Sequence, residues 1–155
     1  MVRHDWHRRF TQMAGLVASW SKDPSTKVGA VLVRPDTWTV VATGYNGLPR
    51  GVEDLAVRME QRPIKYKWTE HAERNAIYNA ARNGQSTEGC ILYMNYAPCP
   101  CCACARAVIQ AGIVEVVGPD RLFDGKGLDW TESLAVALKM LLEAGVKMTT
   151  VEDPR

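Results

Sequence analysis

Four of the five cysteines in this 155-residue chain fall within six consecutive positions, Cys99 to Cys104. Separations that short make pairwise disulfides geometrically awkward, and Cys90 leaves the count odd. The chain is therefore not expected to be a small scaffold stapled by disulfides. It has to bury a core of its own and use the cysteine cluster for metal or thiol chemistry, as in a reducing cytosol. Its length suits one domain over residues 1–155. A hydrophobic share of 46% against 23% charged residues is the balance of a globular chain, not a disordered one.

The formal net charge is +2, and the Lys and Arg residues are scattered among acids. Binding to a nucleic acid polymer needs clustered cations, so no polymer partner is expected; a small anionic ligand needs only one or two cations. The N-terminal stretch MVRHDWHRRF lacks the apolar segment of a secretory signal. No run approaches the roughly 20 apolar residues of a membrane helix, so the expected location is cytoplasmic, with no membrane partner.

Helical spacing of Trp6, Phe10, Met13, Ala14 and Val17 predicts an amphipathic helix from Asp5 to about Ser21. His4 and His7 are assigned to its polar surface. A hairpin follows, Val28 to Val33 and Thr37 to Gly44, then a break at Tyr45 to Gly51. Residues 52–69 show no period and read as an inserted loop or short helix. A helix is predicted from His71 to Asn83, closed by Gly84, and a buried strand from Cys90 to Asn95. Pro98 opens another helix to about Ala111, before a strand at Ile113 to Val117. After a polar connection through Gly125 and Gly127, a last helix carries Leu134 to Leu142, and Val146 to Val151 is a candidate edge strand. Alternation of this kind implies an α/β fold: a three-layer α/β/α sandwich with a mixed, largely parallel central sheet of about five strands.

His71-Ala72-Glu73 at one helix start and Pro98-Cys99-Pro100-Cys101-Cys102 at the next bring one imidazole and two thiolates to two helix N-termini. With His71, Cys99 and Cys102 as ligands, the fourth tetrahedral position of a zinc ion stays open for water, as a catalytic site requires. Positions i and i+2 on a first turn do not share a face, so Glu73 is left for proton transfer. The helix dipoles favour thiolates there. A second C-x-x-C, Cys101 with Cys104, overlaps the first. It is read as small, partly buried helix residues, with a redox pair or a fourth ligand of a closed zinc site as alternatives. Cys90 is assigned to the core. Tyr66, Trp68 and Tyr96 are candidates for stacking on a ligand or forming a lid, although aromatics fill cores and interfaces at least as often.

These residues resemble the H-x-E and P-C-x-x-C signature known for the zinc deaminases, that is, the cytidine and deoxycytidylate deaminase superfamily. Within it the chain is most similar to deoxycytidylate (dCMP) deaminases, through the segments Asp23 to Ala30, Gly44 to Gly51 and His71 to Ile77, and the similarity extends to about Val117. The resemblance implies zinc-dependent hydrolysis of dCMP to dUMP and ammonia, with one catalytic zinc. It also implies substrate contacts from Asn46 and from the backbone around Ala72 and Pro98, with Lys27 and Arg50 as candidates for the phosphate; Tyr96 is a further candidate for substrate contact outside the family pattern. A homo-oligomer is implied as well. The insertion contains no Cys or His, so no second, structural zinc is expected. Asn95-Tyr96-Ala97 and the tail with Phe123 and Trp130 depart from the family pattern. Other substrates therefore stay open: 5-substituted dCMP, CMP, guanine or another free base, or an RNA base. So does a non-catalytic, zinc-stabilised interaction domain.

Overall fold

A computed structural model of the chain describes residues 3–121 and 130–153; Phe123 and the connection through Gly125 and Gly127 lie outside the described residues, as does the side chain of His4. The elements run α1 (Arg3–Ala18), β1 (Gly29–Arg34), β2 (Thr39–Tyr45), α2 (Ala56–Glu60), α3 (Lys65–Trp68), α4 (Ala72–Arg82), β3 (Ile91–Met94), α5 (Cys102–Gln110), β4 (Glu115–Pro119), α6 (Thr131–Glu143) and β5 (Lys147–Val151). They build a five-stranded sheet in the order β2-β1-β3-β4-β5. β1 pairs antiparallel with both β2 and β3, while β3, β4 and β5 pair in parallel. Four strands thus run one way and β1 alone runs against them. The 52–69 insertion holds two short helices, α2 and α3, in place of a single one.

The period of two along the strands sets the layers. Val31, Val33, Ile91, Tyr93 and Val117 face α1 and join Phe10, Ala14 and Val17 in one cluster. Ala30, Leu32, Leu92, Met94 and Val116 face the other way, against Ala72, Ala76 and Ala80 of α4, Ala105 and Val108 of α5, and Ala137 and Leu141 of α6. Helices therefore cover both faces of a mixed sheet. Each fully buried Val or Leu contributes about 1.5–3 kcal/mol.

His7 corrects one expectation. It is buried, and its Nδ1 sits 2.9 Å from the Tyr93 hydroxyl. At helical spacing His7 lies on the face of Phe10 and Ala14, so α1 turns it to the sheet and not to solvent.

α4 comes unusually near the sheet. Ala72, Ala76 and Ala80 recur every fourth residue along it, all fully buried, and a Cβ at Gly44 of β2 would run into the backbone at Ala72 and Ala76. Asn75 Nδ2 donates to the Tyr45 carbonyl (2.8 Å) and Asn79 Nδ2 to the Thr43 carbonyl (2.7 Å), which fixes the helix along β2 and caps those strand carbonyls. This contact places the start of α4 beside the start of α5, at the carboxyl ends of β2 and β3, where open α/β sheets bind their ligands. Among the described residues no helix is long and apolar enough to cross a membrane.

Candidate active site

His71 stands at the N-cap of α4 with extended backbone (φ −83°, ψ 151°), and Glu73 lies in the first turn behind it. Cys101 holds the corresponding N-cap of α5, and Cys104 follows three residues later, so the two sulfurs leave that first turn on one side. Cys101 Sγ lies 3.4 Å and Cys104 Sγ 3.3 Å from His71 Nδ1. All three donor atoms fall within 4.8 Å of one another.

The cluster corrects the assignment of the cysteines. Cys99 and Cys102 do not join His71. Cys99 Sγ faces the Leu134 carbonyl at 3.8 Å, and Cys102 packs against the core while its N–H donates to Ser133 Oγ at 3.1 Å. The reason is where α5 begins. Ala97 N–H is bound to the Arg121 carbonyl and Cys99 N–H to the Ala97 carbonyl, at 2.9 and 2.8 Å. Buried Pro98 sits close behind Gly118 of β4. The chain is therefore not yet helical at Cys99 and becomes so three residues later, at Cys102, and Pro100-Cys101-Cys102-Ala103-Cys104 is the frame that meets His71. Pro98 correspondingly does not line the cavity, whereas Pro100 does.

The donor set fits one zinc ion. Bonds of about 2.3 Å to sulfur and 2.0–2.1 Å to nitrogen in a tetrahedron place S and N about 3.6 Å apart, within a few tenths of an ångström of the distances here. Among the described residues no fourth donor joins the three. Electrostatics prepare the set unevenly. The hydrogen bond from Cys104, against burial and with help from His71, holds the Cys101 thiol down at about 4. The bond with Cys101 carries His71 up to about 9 against its burial, and the hydrogen bond that Cys104 makes to Cys101, together with burial, raises Cys104. Cys101 is thus a ready thiolate, and taking up a cation would release protons from the other two donors. Glu73 is buried beside them, and desolvation raises its carboxyl, opposed by the charge on His71. A carboxyl raised by desolvation beside a metal-binding cluster is the kind of group that acts in proton transfer.

His71, Glu73 and Cys101 line a cavity of about 360 Å³, and Cys104 is buried next to them. Asn46, Ala72 and Tyr96 line it as expected, but the Asn46 amide is committed to the chain itself. Its Nδ2 donates to Asp23 Oδ2 and the Thr26 carbonyl, and its Oδ1 accepts from Val28 N–H. Lys27 and Arg50 are outside the cavity: Lys27 Nζ donates to the Ser21 carbonyl at 2.5 Å, and Arg50 to Asn79 Oδ1 at 2.8 Å in a separate recess with Arg82. The cations that line the cavity are Arg62 and Lys65, both from the insertion. Lys65 Nζ is held by Asp23 Oδ1 (2.8 Å), Asp23 Oδ2 (2.6 Å) and Ser25 Oγ (2.8 Å). Arg62 is exposed and, among the described residues, has no acidic partner.

The Asp23–Lys65 pair locks the insertion to the loop before β1. Burial alone would raise Asp23, but Lys65 and the Thr26 and Ser25 amides together hold it below its usual value. A carboxyl depressed on folding contributes stability above its unfolded pKa, lost as pH falls through the folded one. Lys65→Met, which strands a buried charge, is expected to cost about 3–5 kcal/mol at pH 7. Urea midpoints measured at pH 7 and again below pH 4 should show that gap shrinking in acid; a gap independent of pH would refute the pairing.

The profile of the cytidine and deoxycytidylate deaminase zinc-binding region matches residues 4–118. The chain is 45% identical over 144 residues to a protein described as an uncharacterized deaminase in the luxG 3′ region of Aliivibrio fischeri, covering 93% of this chain and 92% of that protein. It is 40% identical over 118 residues to the deoxycytidylate deaminase of Homo sapiens, covering 73% of this chain but 64% of the human protein's length. Among solved structures it is similar to the dCMP deaminase of cyanophage S-TIM5, with a TM-score of 0.74, 23% identity, and coverage of 97% of this chain and 100% of that one. That phage protein has also been solved in complex with dCMP and dUMP. At this identity the likeness bears on the fold.

Proposed function

Since the chain belongs to the cytidine and deoxycytidylate deaminase family, which makes it a hydrolase of carbon–nitrogen bonds, we propose that it hydrolyses dCMP to dUMP and ammonia. One observation carries the reading: His71, Cys101 and the buried carboxyl of Glu73 line one cavity, Cys104 completes the donor set beside them, and Arg62 stands on the wall of the same cavity. A zinc ion held by His71, Cys101 and Cys104 would supply the Lewis acidity that makes water nucleophilic at neutral pH. Glu73 accepts the proton of the attacking water and gives it to the ring nitrogen next to the amine-bearing carbon. A second transfer through the same carboxyl lets the amine depart as ammonia. Ala72 and Pro100 flank the base from the two helix starts, and Met94 and Val28 exclude water from one side.

Arg62 binds the 5′-phosphate in this reading, because Lys65 is already neutralised by Asp23. A charged hydrogen bond is worth about 1.5–3 kcal/mol, so Arg62→Ala should raise KM for dCMP by about 10–100-fold and leave deoxycytidine turnover unchanged. Ammonia release from dCMP, CMP, 5-substituted dCMP, cytidine, cytosine and guanine tests the substrate itself. Inactivity on dCMP with turnover of a free base would overturn it. The exposed Val136, Leu138 and Leu142 on α6 support assembly as a homo-oligomer, which sedimentation would measure.

A further inference from the structure

Two aromatic rings on the cavity wall belong to neither apolar cluster. Tyr66 comes from α3 in the insertion and Trp130 from the N-cap of α6. Their centroids lie 6.5 Å apart at 80°, edge to face, and Trp130 is also 6.4 Å from the His71 ring, tilted by 56°. The core aromatics, Phe10, Tyr93, Trp6 and Trp38, are gathered on the far face of the sheet under α1. Tyr66 follows Lys65, which the buried Asp23 anchors, and the Trp130 carbonyl accepts the Leu134 N–H at 2.8 Å in the first turn of α6. Two half-buried aromatics beside the triad and outside the core gain apolar burial when a flat ring fills the cavity.

We propose that Trp130, with Tyr66 set edge-on behind it, is the specificity-determining wall of the base site, admitting an unsubstituted single-ring base and turning away bulkier ones. This rests on the deaminase reading above. The reacting carbon has to come within reach of His71, Cys101 and Glu73, and the indole already contacts His71, so a base in that position lies against Trp130. Any group added to the edge of the base that faces the indole meets a ring that Tyr66 keeps from swinging aside.

The test compares kcat/KM for dCMP and for 5-methyl and larger 5-substituted dCMP in the parent, Trp130→Phe, Trp130→Ala and Tyr66→Ala. A methylene of fit in an apolar pocket is worth about 10–200-fold. Trp130→Ala should therefore raise the ratio of bulky substrate to dCMP at least tenfold, Trp130→Phe and Tyr66→Ala less. Binding gives a readout independent of turnover. Of the five tryptophans, Trp130 is the one that lines this cavity, so dUMP should quench fluorescence in the parent and not in Trp130→Phe, while calorimetry still records dUMP binding to both. An equal loss on all substrates, or quenching that survives in Trp130→Phe, would overturn the wall. A parent that binds dUMP yet turns over none of these nucleotides would instead overturn the deaminase reading.

Discussion

Serine at Cys101 or at Cys104 is expected to empty the metal site and abolish turnover, whereas serine at Cys99 or Cys102 leaves both intact. The two overlapping Pro-Cys-x-x-Cys frames differ by two residues, and a helix turn separates their consequences. Cys101 and Cys104 present sulfur within 3.4 Å of His71 Nδ1; Cys99 and Cys102 face Leu134 and the core. Changes in the residues that merely orient a ligand already weaken metal binding by about 10–100-fold, so loss of a ligand should cost more than that. Zinc per chain after dialysis, by mass spectrometry, should fall from one toward none for the first pair only. Cys99→Ser and Cys102→Ser should cost no more than about 1 kcal/mol as small buried substitutions. Loss of zinc from Cys102→Ser with retention by Cys104→Ser would restore the first frame and sink the geometry described here.

Much of the architecture is legible along the chain because it is periodic. The continuous apolar runs of β1 and β3, the glycines at positive φ after α4 and α5 (Gly84, 65°; Gly112, 71°), and the histidine and glutamate at the start of α4 are local signals. The cysteine frame is not local. Pro98 and Pro100 each precede a cysteine pair, and each is compatible with a helix start. What selects Pro100 is the hydrogen bond of Ala97 to Arg121 and the packing of Pro98 behind Gly118, contacts made with β4 and its exit. The phosphate candidates fail for a related reason. Lys27 and Arg50 adjoin motif residues in sequence, but one bonds back to Ser21 and the other outward to Asn79. Arg62 and Lys65 lie in a segment without periodicity, and the ion pair of Lys65 with Asp23, 42 residues away, is a long-range contact that ties that segment to the cavity. Trp130 arrives from a strand, helix, strand crossover further along still. His7 is the opposite case, since its spacing from Phe10 and Ala14 already put it on the apolar face and its polarity outweighed that signal.

Replacing Glu73 with glutamine should leave the protein folded and fully loaded with zinc but slow it by about 10²–10⁴-fold, the contribution of a positioned proton carrier. Gln matches Glu in volume and can still accept and donate hydrogen bonds in the buried first turn of α4, so the packing there is retained. It cannot take a proton from water and return it to the ring nitrogen. Because the carboxyl is buried and raised by desolvation, its removal relieves a cost to folding, and the variant should unfold at a denaturant concentration equal to or above that of the parent. The kinetic signature is a fall in kcat with little change in KM, since the interaction lost is made in the transition state. This profile is the reverse of that expected for Arg62→Ala, where KM rises, and differs from Cys104→Ser, where zinc is lost as well. Glu73→Gln turning over dCMP within tenfold of the parent, at full zinc occupancy, would remove Glu73 from the chemistry and leave the cavity without a proton carrier.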